Sequence, residues 1–250
     1  MSTEMVSVAV IDLGDYSRLD QRHVSQFAAE KLSGQPLATR MARRLSASIL
    51  IDQVFVVGSN IPTDVLTSGI SGAETINMPS CHGCERLAAV VDRTKSEWIV
   101  TAPCNRPFID ADLVDQLLAR ALKTKECDYV GYVSQSGDET LPQKLGLVAE
   151  ACHGDTLRRL RRYASQLADD STAIPQWLGS APGAYHLKFV SLPTSLDRND
   201  LRFLVEDESD WLNMEHLCET VRDFEAPWSE ITESTILNDR LRQSMLQRNL

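Results

Sequence analysis

Apolar residues in the first half of the chain fall into short runs separated by amphipathic stretches. "VSVAVID", "DQVFVVGS", "EWIVTA" and "CDYVGYV" are strand-length runs bounded by polar or turn residues. Between them the apolar period changes. "PLATRMARRLSAS" puts Leu37, Met41 and Leu45, with Ala42, on one helical face, and "CERLAAVVDRTK" and "DADLVDQLLARALKT" also read as helices. Strands alternating with helices predict an α/β fold with a mostly parallel sheet covered by helices on both faces.

Beyond Val133 the pattern loosens. "SQSGDETLPQ" reads as a loop, "KLGLVAEA" as a strand and "DTLRRLRRYASQLA" as a basic amphipathic helix. "DDSTAIPQWLGSAPG" is rich in turn residues and reads as irregular. "YHLKFVSL" and "LRFLVED" read as further strands, the second feeding the helix "ESDWLNMEHLCETVRDF". "SEITESTILNDRLRQSMLQ" reads as one last helix. With no internal repeat and no long linker, the expectation is a single domain over residues 1–250.

Composition narrows the function classes. Apolar residues make up 43% of the 250 and charged residues 24%, a globular balance. The formal net charge of −10 argues against nucleic-acid binding, which needs basic surface, but leaves room for a small anion held by a few arginines. No apolar stretch is long enough to span a membrane and no basic region precedes the first one, so a cytoplasmic protein without membrane attachment is expected. The six cysteines are scattered, which favours free thiols over disulfides.

Several stretches carry candidate chemistry. "TAPCNRPFID" follows a buried strand and precedes a helix that Asp110 would cap, so Cys104, Asn105 and Arg106 sit at the ligand-binding end of a strand. The loop "IDLGDYSRLDQRHV" follows the first strand, where Ser17, Arg18 and Arg22 could hold phosphates by charge-assisted hydrogen bonds. With only Gly14 available it is neither a P-loop nor a dinucleotide fingerprint, and a solvated polar loop is the competing reading. "CHGC" (Cys81, His82, Cys84) suggests zinc or redox chemistry, but no second close-spaced pair completes a zinc site, so it is taken as the loop before a helix. "LRFLVEDESDW" concentrates Glu206, Asp207, Glu208 and Asp210, a set suited to Mg²⁺ or to ordinary acid enrichment at a helix start. "RRLRRY" reads as a solvated helix face.

Taken in order, these pieces resemble the sugar-activating cytidylyltransferases, nearest to the spore-coat polysaccharide type and related to the acylneuraminate and deoxyoctulosonate enzymes. "KLSGQPLATRMARRLSASILIDQVFVVGS" is similar to that family's "L-x-GKPL…LIDEVVVAT" segment. "IVTAPCNRPFIDADLVDQLL" is similar to "VRVTGDCPLIDPELIDRLI", "STAIPQWL" to "EHVTPYI", and "LRFLVEDESDWLNMEHL" to "LRLTVDTPEDLELIRAI". The resemblance implies a Rossmann-like nucleotide-diphospho-sugar transferase fold. It also implies a reaction in which a sugar hydroxyl attacks the α-phosphate of CTP, giving a CMP-sugar and pyrophosphate for surface polysaccharide.

Under that resemblance Arg18 and Arg22 would be catalytic on the triphosphate. Asp12, Ser17, Arg18, Arg22 and Asn105 would bind the nucleotide, and Asn105, Glu206 and Asp207 would hold Mg²⁺. The sequence departs from the family at telling places. Asn105 stands where the family has its metal-binding Asp, Gln35 replaces a Lys, and Glu206 with Asp207 replaces a single Asp. Two functions therefore stay open: an enzyme activating an acidic or amino sugar, and a catalytically impaired homologue that binds a nucleotide, sugar or protein partner. A glycosyltransferase would need an Asp-x-Asp motif, and "DAD" at Asp110–Asp112 reads better as a helix cap. Asn105, the Arg18–Arg22 loop and Glu206 should meet at one mouth of the sheet. The segment around Trp177 and the helix Ile231–Leu246 are expected to offer apolar surface for a homodimer.

Overall fold

The computed structural model describes residues 6–15, 24–65, 70–164, 174–179, 183–221, 223 and 225–250. Its centre is a seven-stranded sheet. In chain order the strands are β1 (Ser7–Asp15), β4 (Gln53–Ser59), β5 (Ala73–Asn77), β6 (Trp98–Pro103), β7 (Tyr129–Val133), β8 (Glu150–His153) and β9 (Leu187–Ser191), with a small hairpin of β2 (Lys31–Leu32) and β3 (Gln35–Pro36) apart from the sheet. Spatially the order is β5-β4-β1-β6-β8-β7-β9. Every pairing is parallel except the two made by β8, which runs antiparallel to both β6 and β7.

Two apolar layers hold the helices on. Val8, Val10, Phe55, Val57 and Ile99 point to one face, where α2 (Gly83–Thr94), α5 (Gly154–Arg161) and the short α6 (Ile174–Gly179) cover them. The alternate residues Ala9, Ile11, Leu13, Val54, Val56 and Val100 point to the other. There they meet α1 (Leu37–Leu45), α3 (Ala111–Lys123) and the C-terminal helices α7 (Glu208–Val221), α8 (Trp228–Leu237) and α9 (Asp239–Asn249). Strands covered on both faces explain why their sequences read as nearly unbroken apolar runs.

The chain runs from β1 outward to β4 and β5, then crosses back to β6 on the other side of β1. This reversal is a topological switch point, and in open α/β sheets the ligand crevice lies beyond the strand carboxyl ends at such a point, here those of β1 and β6. The bend 104–110 follows β6 there, and residues 16–23, which follow β1 in the chain, lie outside the described residues.

Several elements differ from the sequence reading. "KLGLVAEA" is split: α4 (Thr140–Leu145) ends at Gly146, whose φ of 78° is left-handed, and the strand begins only at Glu150. The "LRFLVED" segment is extended but joins no ladder. Phe203 N donates to Leu145 O at 2.9 Å and Val205 N to Asn105 O at 2.8 Å, so it lies along the mouth of the sheet and not within it. The last helix breaks at Asn238, whose side chain accepts from Leu241 N and starts α9 afresh.

Part of the apolar surface expected for a dimer is buried within the chain, while Leu237 stays exposed. Trp177, Ile231, Leu241 and Met245 are all buried, packed against the two cores, because α6, α8 and α9 close over the sheet and α7.

Candidate functional site

Asp12 is the last inward residue of β1 on the α2 face, and its carboxylate is buried. It accepts from Gly14 N at 2.9 Å, which bends the strand end, and from Arg86 Nε at 2.8 Å. Arg86 sits in the first turn of α2, reaches back to the Cys81 carbonyl, and is 1% exposed. A buried carboxylate beneath the crevice thus has a buried guanidinium fixed to it, a pairing that keeps both charged away from water. Sequence reasoning named Asp12 and missed Arg86.

The bend after β6 is held from below. Arg40 and Arg44 stand one turn apart on α1, and both are buried. Arg40 Nε donates to Pro107 O at 3.2 Å, and its guanidinium lies 4.8 Å from the centre of the Phe108 ring. Arg44 Nε donates to Ile109 O at 2.7 Å and its far nitrogen meets Asp110 at 3.3 Å. Asp110 caps α3 as the sequence suggested, accepting from Asp112 N and Leu113 N, and it also takes Trp228 N at 2.9 Å. The bend's carbonyls are therefore ordered by guanidiniums that hydrophobic periodicity counts as surface.

At the apex the three side chains take different roles. Cys104 is fully buried in the core and burial pushes its thiol up, so it is no nucleophile. Arg106 turns inward, donating to the Val148 carbonyl and to Gln143 Oε1 at 3.1 Å. Asn105 is 5% exposed; its backbone N donates to Pro103 O and its carbonyl accepts from Val205 N. Its Oδ1 has no hydrogen-bond partner. A buried oxygen left unpaired costs about 1–3 kcal/mol, so one held at a crevice rim marks a place where a ligand or ion would supply the partner.

The Val205–Asn105 hydrogen bond places Glu206 next to Asn105, as expected for two of the three groups. Ser17, Arg18 and Arg22, the third, lie outside the described residues. Glu206 and Asp207 line a cleft of about 460 Å³ with Phe27, Glu30 and Trp211, the rings of Phe27 and Trp211 stacked at 5.7 Å. Neither carboxylate is without a cation, however. Glu206 pairs with Arg202 at 2.6 Å, and Arg202 also grips the buried Asp210. Asp207 caps α7 through Ser209 N and Asp210 N and pairs with Arg248 of α9. As they stand, Asn105, Glu206 and Asp207 offer a Mg²⁺ one unpaired neutral oxygen and do not fit a protein-held ion, which usually draws on one or two carboxylates beside the substrate's phosphates. Among the described residues no group of three or more His, Cys, Asp or Glu is arranged to hold a metal.

The other motifs find local uses. His82 is the N-cap of α2: its ring accepts from Cys84 N, and Glu85 reaches back to His82 N in a capping box. Arg158 and Arg161 pair with Asp92, and Arg159 with Asp128.

The sequence profile of the MobA-like NTP transferase domain matches residues 23–183, well over half of the chain. The chain belongs to that family. Within this nucleotidyltransferase-like family the profile begins at residue 23, beyond β1, and it spans α1, the bend at Asn105 and α6. A molybdenum cofactor guanylyltransferase of Cupriavidus metallidurans is 30% identical over 100 residues, 40% of this chain and 47% of that protein, so the match spans under half of the relative's length.

Solved structures agree on the fold. A cytidylyltransferase from Leptospira borgpetersenii superposes with a TM-score of 0.74 at 13% identity, covering 96% of this chain and 97% of that one. A CMP:2-keto-3-deoxy-manno-octonic acid synthetase in complex with CTP gives 0.58 at 12% identity, covering 87% and 99%. The 4-diphosphocytidyl-2C-methyl-D-erythritol synthase of Anaerococcus prevotii gives 0.59 at 12%, covering 87% and 100%. The family rests on the sequence profile; the structures establish the shared architecture. Among the described residues no helix is long and apolar enough to cross a membrane.

Proposed function

We propose that this protein binds CTP in the crevice beyond β1 and β6 and transfers its cytidylyl group to a sugar, for surface polysaccharide. In that reaction a sugar hydroxyl attacks the α-phosphorus, the bond to the bridging β-phosphate oxygen breaks, pyrophosphate leaves, and the hydroxyl proton passes to solvent. The observation that carries the reading is the unpaired Asn105 oxygen at the switch-point mouth, beside Val205 and Glu206, in a chain of a nucleotidyltransferase family. Such chemistry asks a protein chiefly for positioning and charge stabilisation. Arg18, Arg22 and Ser17 would supply that charge and hydrogen bonding to the triphosphate, and Asp12, fixed by Arg86, would floor the nucleotide site. A cation carried in by the triphosphate would neutralise phosphate charge, and the unpaired Asn105 oxygen would accept from water around it.

The alternative, a homologue that binds a nucleotide, sugar or partner without efficient transfer, is favoured by one specific feature. The charges of Glu206 and Asp207 are already met by Arg202 and Arg248, and Asn105 brings none. A panel of CTP, GTP, UTP and ATP, each with and without Mg²⁺, separates these readings when thermal shift is read beside pyrophosphate release. CTP should give the largest shift, since a ligand at a hundred times its Kd adds about 2.7 kcal/mol to the folded state. Pyrophosphate should appear once a sugar acceptor is added. A larger GTP shift would move the reading to guanylyl transfer, and binding without pyrophosphate would move it to the impaired homologue. No shift with any triphosphate would overturn both nucleotide readings.

Asn105→Asp tests the bend itself. A carboxylate in that buried place lacks a cation, so the variant should lose roughly 1–3 kcal/mol of stability without metal. Mg²⁺ with CTP should restore the loss, because a bound dication reverses the sign of the interaction. Wild type should respond to Mg²⁺ less. A wild-type response equal to the variant's would show a metal site built without Asn105.

A further inference from the structure

A second cleft, of about 420 Å³, opens on the α2 face of the sheet beside the crevice. Glu150, at the start of β8, is its chemical centre. It pairs in register with Thr101 near the end of β6, so it stands at the same mouth of the sheet as Asn105. The two are joined by side chains: Arg106 donates to Gln143 Oε1 at 3.1 Å, and Gln143 Nε2 donates to Glu150 Oε1 at 2.7 Å. Tyr129 lines the same cleft as Glu150 on the β7 side.

The sequence makes room for this arrangement. A Cβ on Gly131 would lie 2.6 Å from the Tyr129 hydroxyl and 2.9 Å from its ring, so only glycine lets the ring fold across β7 toward Glu150. Phe189 of β9 meets Tyr129 edge to face, with centroids 6.3 Å apart. The wall is thus aromatic, and Gln143, Thr140 and Gln176 of α6 add hydrogen-bonding groups. An apolar cleft with a few convergent polar groups is the usual form of a small-molecule site.

Charge decides which molecule. Among the described residues Lys144 is the one cation lining the cleft, and its Nζ donates to the Asn249 carbonyl at 3.0 Å. The Arg106 guanidinium is buried behind Gln143. Two carboxyl groups, Glu139 and Glu150, face the space. Burial pushes Glu150 up, with Arg106 opposing, and neither protonation state suits an anion: ionised it repels one, and protonated it offers a single O–H. An anionic group desolvated there would lack a partner, which is costly.

We propose that the cleft at Tyr129, Glu150 and Phe189 is the acceptor site, and that it takes a polyhydroxylated ring bearing no negative charge, with or without an amino group. This deepens the transfer reading above and rests on it, excluding sugar acids and phosphorylated rings as acceptors.

Saturation-transfer NMR on the full chain with D-glucosamine, D-glucose and D-glucuronate tests the proposal, with CTP binding measured on the same samples. Glucosamine or glucose should bind at least about tenfold more tightly than glucuronate. Glu150→Gln should weaken the favoured ring, with thermal unfolding as the folding control. Glu139→Lys, a change at an exposed rim position, should raise glucuronate binding toward that of glucose whatever Glu150→Gln does to folding. Preferred binding of glucuronate, equal binding of all three rings, or binding of none would overturn the proposal. CTP binding with a glucuronate preference would sink this inference and leave the transfer reading standing. Glucosamine binding without any triphosphate binding would do the reverse.

Discussion

Arg86→Ala should melt far below the wild type, losing about 3–5 kcal/mol, the usual cost of removing one partner from a buried ion pair. Both side chains of the Asp12–Arg86 pair are essentially without solvent contact, 0% and 1% exposed, so no solvent screening reduces the figure. In a chain of this length each kcal/mol moves the midpoint by about 2–4 °C, which gives a drop of roughly 6–20 °C. Arg86→Lys should recover part of the loss, since it returns the charge without the planar fork that also reaches Cys81. The variant should bind CTP more weakly as well, because the Asp12 carboxylate beneath the crevice would lose the guanidinium that fixes it. A midpoint within a degree or two of wild type would show that the pair does not organise the strand end.

Gly146→Ala should cost nearly as much, by a different mechanism. At φ 78° a Cβ is strained, and here it would also sit 2.5 Å from the Phe203 carbonyl carbon and 2.7 Å from Leu204 N. Those are backbone atoms of the segment that Val205 N ties to Asn105, and no rotamer change can relieve the contact. The left-handed strain and the overpacking together come to roughly 2–4 kcal/mol. Gly137→Ala is the matched control: its φ of 89° carries the backbone strain, but nothing lies within 4 Å of the added carbon. It should lose only about 1–2 kcal/mol. If the two variants melt together, segment 201–205 is not pinned by Gly146.

How far each of these features was legible depends on what reports it. The strands β1, β4, β6 and β7 are readable because both faces are buried and their residues are apolar almost without break. β5 is not: "AETIN" is an edge strand with one buried residue, and its pattern resembles a loop. "LRFLVED" has a strand's composition, yet its apolar residues are buried by helices while its backbone meets only isolated partners, a distinction that composition does not carry.

The same limit applies to the site. The bend and the acidic stretch were visible as residue types at the ends of apolar runs, and a single long-range hydrogen bond brings them together. The arginines that matter were not visible. Arg40, Arg44 and Arg86 are buried because each meets carbonyls or a carboxylate distant in sequence, whereas helical periodicity treats any arginine as surface. Glu206 and Asp207 read as metal ligands from their charges alone. Their partners Arg202 and Arg248 lie on either side of α7, and only the docking of α9 brings Arg248 to Asp207. The signal available beforehand was the buried Asp12 itself, since a carboxylate at the end of an otherwise apolar strand requires a cation from somewhere in the chain.

The most direct test of nucleotide binding at the switch-point crevice is a crystal structure of the protein soaked with a non-hydrolysable CTP analogue and Mg²⁺. Density for the triphosphate should lie beyond the carboxyl ends of β1 and β6, with the Asn105 side-chain oxygen accepting from the water shell around the phosphates and their metal. Density elsewhere, such as in the cleft at the opposite end of the sheet lined by Glu97, Lys125 and His186, would contradict the account.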